Sequence, residues 1–194
     1  MAVIPSGFAQ INWKFTGTSC PNGAEVTLGV DISSFSGSPA DAAGDAITAY
    51  NDNVDPIMPA TVTLASVLVK FGPNATGPSA EVPSGNAGSG GGASASPNVA
   101  WLVHKVTALG GRAGRGRMYW PGVQESEVDP SGTLSSAFVT GAQTAMDGFL
   151  ADLGTALLIP VVLHSETSPL SAPTTITELT VDGVAATQRR RMRG

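Results

Sequence analysis

Two histidines and one cysteine are the side chains of this sequence best suited to act as bases, nucleophiles or metal ligands. His104 and His164 each lie among apolar residues in a pattern typical of strands, where a structural role is the commoner one. The sequence contains no His-x-His or His-Glu-x-x-His spacing, and the single cysteine, Cys20, adds too few ligands for a zinc site. We therefore predict neither a metal nor a cofactor.

Serine and carboxylate side chains give no better indication of catalysis. Ser89 lies in the glycine-rich tract of residues 85–92, without the Gly-x-Ser-x-Gly turn that presents a serine nucleophile between a strand and a helix. Glu125, Glu127 and Asp129 precede a predicted helix, a position that the helix dipole favours without any catalytic role. The sequence therefore predicts that the protein is not an enzyme, and a hydrolase is the least favoured class.

The most distinctive segment is a glycine- and arginine-rich run, GGRAGRGRMYWPG, at residues 110–122. It lacks the Gly-Lys-Ser/Thr ending of a phosphate-binding loop and continues into an extended aromatic stretch rather than a helix. In an extended strand Arg115 and Arg117 point to the face opposite to Met118 and Trp120. The pattern predicts a basic face that apolar anchors hold in place.

Charge is divided unevenly along the chain. All arginines lie after Pro97, in two clusters, whereas the part before Pro97 has two lysines and seven acids. This division favours charge-complementary contacts between copies. Binding of single-stranded nucleic acid and a merely solvated hairpin tip are the alternatives for the first cluster. The candidate inter-subunit contacts are Arg112, Arg115, Arg117, Tyr119, Arg189, Arg190, Arg191 and Arg193.

The composition favours a domain that packs against neighbours. Charged residues make up 13 % of the chain, against about a quarter in typical soluble domains. No apolar run approaches the roughly 20 residues that span a bilayer, and residues 1–10 lack the basic start and apolar core of a secretory signal. We expect a single domain over residues 1–194 that does not enter a membrane.

The first part of the chain is predicted to form a hairpin, a helix and a further strand. Residues 8–16 and 25–32 have the β-branched and aromatic content of strands, and Ser38-Pro39 is typical of a helix start. Residues 61–71 are apolar on both faces, which predicts a central strand that is covered twice. Residues 72–97 are predicted to be a flexible loop between strands, with a linker between two domains as the alternative.

The second part of the chain is predicted to repeat this order. Strands are expected at residues 99–107 and 115–120, and a helix is expected to begin at Asp129-Pro130. Further strands are expected at residues 156–164 and 174–181, the first interrupted by a proline.

A weak internal similarity accompanies the repeated order. FAQINWKFT, from Phe8, aligns without gaps on VAWLVHKVT, from Val99, which suggests a pseudo-repeat of residues 8–71 and 99–165. The predicted fold class is mainly β or α+β, an antiparallel β-sandwich-like domain with two helices. It is built either from a duplicated strand-strand-helix-strand unit or as an ordinary sandwich with inserted helices.

Three short motifs resemble a group of uncharacterised proteins of tailed bacteriophages. They are GGRAGRGRMYWPG at residues 110–122, FAQINWKFTG near the start and TQRRRMR near the end. The resemblance implies a virion protein whose partners are itself and other virion proteins. We expect a capsid decoration or cement subunit, with a coat protein that builds the shell and a tail or connector component as variants. A single-stranded nucleic-acid-binding module is the alternative from another class.

Overall fold

The computed structural model describes ten stretches of the chain. They are residues 7–18, 23–72, 77–85, 99–108, 116–120, 127, 135–159, 163–164, 166–171 and 179–180. The fold is mixed α+β, with antiparallel sheets and two helices, which confirms the predicted class. In chain order the elements are β1 Phe8–Thr16, β2 Ala24–Asp31, α1 Pro39–Asn53, a 3₁₀ helix Asp55–Ile57, β3 Thr63–Phe71, β4 Ser79–Pro83, β5 Val99–Ala108, β6 Gly116–Trp120, α2 Ser136–Ala156, β7 Leu163–His164, β8 Glu166–Ser171 and β9 Leu179–Thr180.

The first sheet has the order β2-β1-β3-β4, with every neighbouring pair antiparallel. Its strands alternate between a buried and a half-exposed face, because successive side chains point to opposite sides of a sheet. Ile11, Trp13 and Phe15 of β1 are buried, together with Leu28 of β2 and Val67 of β3. This buried face is the one that meets the helices.

Helix α1 begins where the sequence predicts. The hydroxyl of Ser38 accepts the backbone N–H of Asp41, the carboxylate of Asp41 accepts the backbone N–H of Ser38, and Pro39 fills the first turn. The buried side of the helix is rich in alanine, so its backbone lies close to the sheet, and the indole N–H of Trp13 donates to the carbonyl of Ala46 at 3.2 Å.

The second sheet has the order β6-β5-β8-β9, with β7 paired beside it on β5, and α2 contacts β7 and β8. In the first sheet, β2, the strand before α1, lies at the edge beside β1. In the second sheet, β6, the last strand before α2, likewise lies at the edge beside β5. The helix α1 contacts α2, and β2 contacts β6. The shared order is what the predicted repeat requires; the duplication itself stays a prediction.

Two predictions for the first part of the chain are wrong. Strand β3 is covered on one face only, because no described helix packs over the side that carries Ser66, Leu68 and Lys70, and these three residues are half-exposed. The predicted loop of residues 72–97 contains β4, which pairs with β3. With only five residues, SAEVP, the strand is too short for its alternation of exposed and half-buried positions to distinguish it from a loop.

The predicted limits of the second helix and the strand after it are also wrong. The N-cap of α2 is Ser135, whose hydroxyl accepts the backbone N–H of Phe138 at 3.0 Å, whereas Asp129-Pro130 lies outside the described residues. The helix continues to Ala156, so the predicted strand of residues 156–164 begins too early, and its described strand residues are those of β7. Short apolar runs fit helix and strand equally well, which explains this error.

Strand β8 was not predicted, and of the predicted strand 174–181 the described part is β9. The gapless alignment of FAQINWKFT on VAWLVHKVT stays a prediction, but its constant offset does not extend to β2 and β6. Continued from Phe8 and Val99, it would pair Trp120 with Gly29, which is half-exposed on the face of β2 turned away from the helices, whereas Trp120 is buried. A slip of one residue exchanges the two faces of a strand.

Candidate inter-subunit surfaces

The arginine-rich candidate residues lie only partly within the described chain. Arg117 and Tyr119 belong to β6, in which Tyr119 pairs with Leu102 of β5. The β5–β6 hairpin that the sequence predicts is therefore present, and its use as a contact surface stays a prediction. The other candidates fall outside the described residues, namely Arg112, Arg115, Arg189, Arg190, Arg191 and Arg193.

Trp120 is the apolar anchor that the strand alternation predicts, and it is wholly buried. Its ring lies 6.3 Å from that of Trp13, 5.9 Å from Phe15 and 5.7 Å from Phe149, and it stacks on Tyr50 at 5.7 Å. We call these five residues the aromatic cluster. Because its members belong to β1, α1, β6 and α2, the cluster fixes the β5–β6 hairpin to both helices and to the first sheet.

Tyr50 takes part in the aromatic cluster as an apolar group. Its hydroxyl is buried and, within the described part of the chain, has no hydrogen-bond partner. Burial raises the pKa of Tyr50, and the nearby carboxylate of Asp55 shifts it in the same direction. The phenol therefore stays neutral and contributes its ring to packing rather than a proton to chemistry.

The side of the two helices turned away from the sheets carries acids but no base. Neither helix sequence contains a lysine or an arginine. The acidic helix layer, as we call this surface, consists of Asp41, Asp45, Asp52, Asp147 and Asp152. Where the helices meet, the amide of Asn53 donates to the carboxylate of Asp152 at 2.7 Å, which places Asp152 of α2 beside the C-terminal end of α1.

The acids at the start of α1 differ in their titration. Hydrogen bonds from the backbone N–H and the hydroxyl of Ser38 hold the pKa of Asp41 below its ordinary value. Partial burial raises the pKa of Asp45, and the charge of Asp41 shifts it in the same direction. Asp41 therefore keeps its negative charge to a lower pH than Asp45 does. This charge also lies at the positive end of the helix dipole.

The first sheet has a second surface, on the side opposite to the helices. We call it the outer sheet face, and it carries Gln10, Asn12, Lys14, Glu25, Thr27, Ser66, Leu68, Lys70, Ser79 and Glu81. Lys14 donates to the carboxylate of Glu81 at 2.9 Å, and the hydroxyl of Ser66 donates to the same carboxylate at 2.6 Å. These contacts lower the pKa of Glu81, with the Ser66 bond as the larger cause.

Asn12 lies in the middle of the outer sheet face. It pairs across the strands with Thr27 of β2 and Leu68 of β3. The residue is only 7 % exposed, and its amide oxygen has no hydrogen-bond partner among the residues that the structure describes. A buried polar atom without a partner costs about 1–3 kcal/mol. Sequence reasoning missed this face, although the alternation of Gln10, Asn12 and Lys14 with apolar residues in β1 could have revealed it.

The described residues form no cluster of three or more His, Cys, Asp or Glu side chains that could hold a metal ion. In the same part of the chain no helix is long and apolar enough to cross a membrane. The surfaces above consist of charges, amides and small polar groups.

Comparison with models of protein families finds no match, and neither do the comparisons with curated proteins and with solved structures. The resemblance to tailed-phage proteins therefore stays a prediction, and the function must be argued from the residues of this chain.

Proposed function

We propose that this chain is a virion structural protein, a capsid decoration or cement subunit that assembles through contacts with copies of itself and with other virion proteins. The observation that carries the proposal is the division of charge between elements. The acidic helix layer has no basic residue, because the sequences of α1 and α2 contain none, whereas every arginine of the chain lies after Pro97.

This division suits association between copies. An arginine side chain offers a planar fork of donors that bonds carboxylates in pairs, so the arginine clusters of one copy can meet the acidic helix layer of the next. The chain is otherwise poor in charge, at 13 % of its residues. Cores of protein interfaces are likewise depleted in charged groups, because each buried charge must be desolvated. The proposal assigns no catalytic residue.

Copy number in purified particles tests this role. Quantitative mass spectrometry of particles from the natural source should find the chain in a fixed, high ratio to the shell protein, and cryo-electron microscopy should place it on the outer surface. A chain that is absent from particles contradicts the proposal. If the chain builds the shell itself, its role is that of a coat protein. If it occurs in only a few copies, its role is that of a tail or connector component.

A nucleic-acid-binding module is the second candidate, and the arginine clusters beside Tyr119 and Trp120 are the observation that favours it. The burial of Trp120 in the aromatic cluster removes that ring from any stacking on bases. Retention of the chain on single-stranded nucleic acid, measured against salt concentration, distinguishes the two functions. A structural subunit should elute at low salt, whereas several phosphate contacts would give a steep dependence on salt.

A further inference from the structure

Of the four charged residues on the outer sheet face, Glu25 and Lys70 lie symmetrically about Asn12. Lys14 of β1 pairs across the strands with Glu25 of β2, and Gln10 of β1 pairs with Lys70 of β3. Glu25 and Lys70 are therefore charged diagonal neighbours of Asn12, one on each side and toward opposite ends of β1. Such diagonal neighbours lie about 7–8 Å from the central residue.

The two charges are not used within the described part of the chain. Lys14 forms its ion pair with Glu81, while Glu25 and Lys70 have no ion pair among the described residues. Glu25 is exposed and Lys70 is half-exposed, so both can reach a partner. A cation and an anion at equal distances on either side of one point form a pattern that is complementary to itself.

We propose that the outer sheet face docks on the same face of a second copy, about a twofold axis that passes over Asn12. Rotation about this axis brings Lys70 of each copy over Glu25 of the other, which forms two identical ion pairs, as an isologous interface requires. The strands of the two sheets then cross at a steep angle, as in orthogonal sheet packing. The inference rests on the proposed function in that it assumes assembly by protein contacts.

The size and composition of the face define the kind of contact. Four strands spaced about 4.8 Å apart present roughly 400–500 Å², so the pair of copies buries about 1,000 Å² in total. This area lies at the lower limit for a specific interface, and the association should depend strongly on concentration. Leu68, half-buried beside Asn12, adds apolar contact near the axis.

Reciprocal charge reversal tests this dimer in the full chain. Lys70→Glu places like charges opposite each other, and so does Glu25→Lys, so each single variant should raise the dissociation constant about tenfold or more in sedimentation equilibrium. The double variant restores opposite charges across the axis and leaves the net charge of the chain unchanged. Its dissociation constant should return to within about threefold of the original.

Matched controls separate this contact from a general effect of charge. Ser36, exposed in the loop before α1, serves as the site for both Ser36→Glu and Ser36→Lys, which should leave association unchanged. A double variant that stays as weak as the single ones overturns the twofold contact, as does equal association of all variants. The latter result leaves the proposed function intact, whereas failure of the unaltered chain to associate with itself or with particles overturns both.

Cross-linking provides a measurement that does not depend on charge. Leu68→Cys in a Cys20→Ser background places one thiol per chain near the proposed axis. A short bismaleimide reagent should then produce a covalent dimer at concentrations where the unaltered chain associates. A thiol at Ser36 in the same background should give none. Absence of the Leu68→Cys dimer under these conditions overturns the proposal.

Discussion

The two halves of the molecule share one order of elements but differ in the described residues of their strands. The first half, β1–β4 with α1, and the second half, β5–β9 with α2, each place the strand before the helix at a sheet edge. The described part of β1 has nine residues and that of β5 ten, whereas β3 has nine and β8 six. A common order of elements therefore accommodates strands of different sequence.

One difference between the two sheets is a proline. β8 includes Pro169, which pairs with Trp101 of β5, whereas β3, the corresponding strand of the first half, has no proline. Proline lacks the N–H that a ladder needs, so it removes one backbone donor from β8. The aromatic cluster links the second sheet to the first through Trp120.

The largest expected effect comes from breaking this link with Trp120→Ala. Removal of a buried aromatic side chain should lower the free energy of unfolding by about 3–5 kcal/mol, measured by chemical denaturation. Phe35→Ala is the control, since Phe35 is only partly buried and contacts Phe71 outside the cluster. Equal losses for the two variants would mean that the cluster does not join the halves.

Removing the arginines next to this anchor should affect assembly rather than folding. The double variant Arg115→Ala and Arg117→Ala keeps Trp120, so the subunit should unfold at the same denaturant concentration as the original. Its assembly beyond the dimer of the outer sheet face, and its binding to particles, should weaken by roughly 2–5 kcal/mol if the guanidinium groups form buried, hydrogen-bonded pairs. Unchanged affinity, or unfolding like that of Trp120→Ala, would show that β6 does not carry the contact.

Two glycines of α2 test how closely α1 and α2 pack against each other. A methyl group at Gly148 would meet the side chain of Asn53, which is held by Asp152 and by the carbonyl of Ala49, whereas Gly141 has open space around it. Gly141→Ala should stabilise the protein by about 0.5–1 kcal/mol through helix propensity. Gly148→Ala should be about 1 kcal/mol less stable than Gly141→Ala in thermal denaturation. Equal stability of the two variants would mean that the helices lie farther apart at Gly148 than the structure shows.

Helix caps test whether the two halves depend equally on their helix starts. Ser38→Ala and Ser135→Ala each remove a hydroxyl that accepts a backbone N–H, which should cost about 1 kcal/mol of unfolding free energy. The loss at Ser38 should be the larger, because Asp41 completes a reciprocal pair there. A larger loss at Ser135 would show that α2 depends more on its N-cap than α1 does.

The smallest effect concerns pH and the outer sheet face. The pKa of Glu81 is lowered in the fold, so its contacts contribute stability above the ordinary value of 4.5 and lose it as the pH falls through the folded value. Glu81→Gln should therefore reduce the fall in melting temperature between pH 7 and pH 3. Ser66→Ala should act in the same direction. An unchanged pH profile in both variants would show that the contacts of Glu81 do not contribute to the pH dependence of stability.

The sequence predicted the elements of the first half well because their signals are local. Strand β1, the hairpin with β2 and the Ser38-Pro39 helix start follow from alternation and capping chemistry. Strand β4 and the start of α2 were missed because a short polar strand and a second serine near an Asp-Pro pair carry no distinctive local pattern. The positions of Glu25 and Lys70 around Asn12 depend on the register between three strands, which no single segment reveals.

The measurement that tests the central claim most directly is the mass of the purified, unaltered chain in solution across a wide range of concentration. Sedimentation equilibrium should show reversible association, with dimers formed through the outer sheet face as the first species, and incubation with native particles should deplete the free chain. A chain that stays monomeric at the highest concentration and binds no particle would contradict an assembly role.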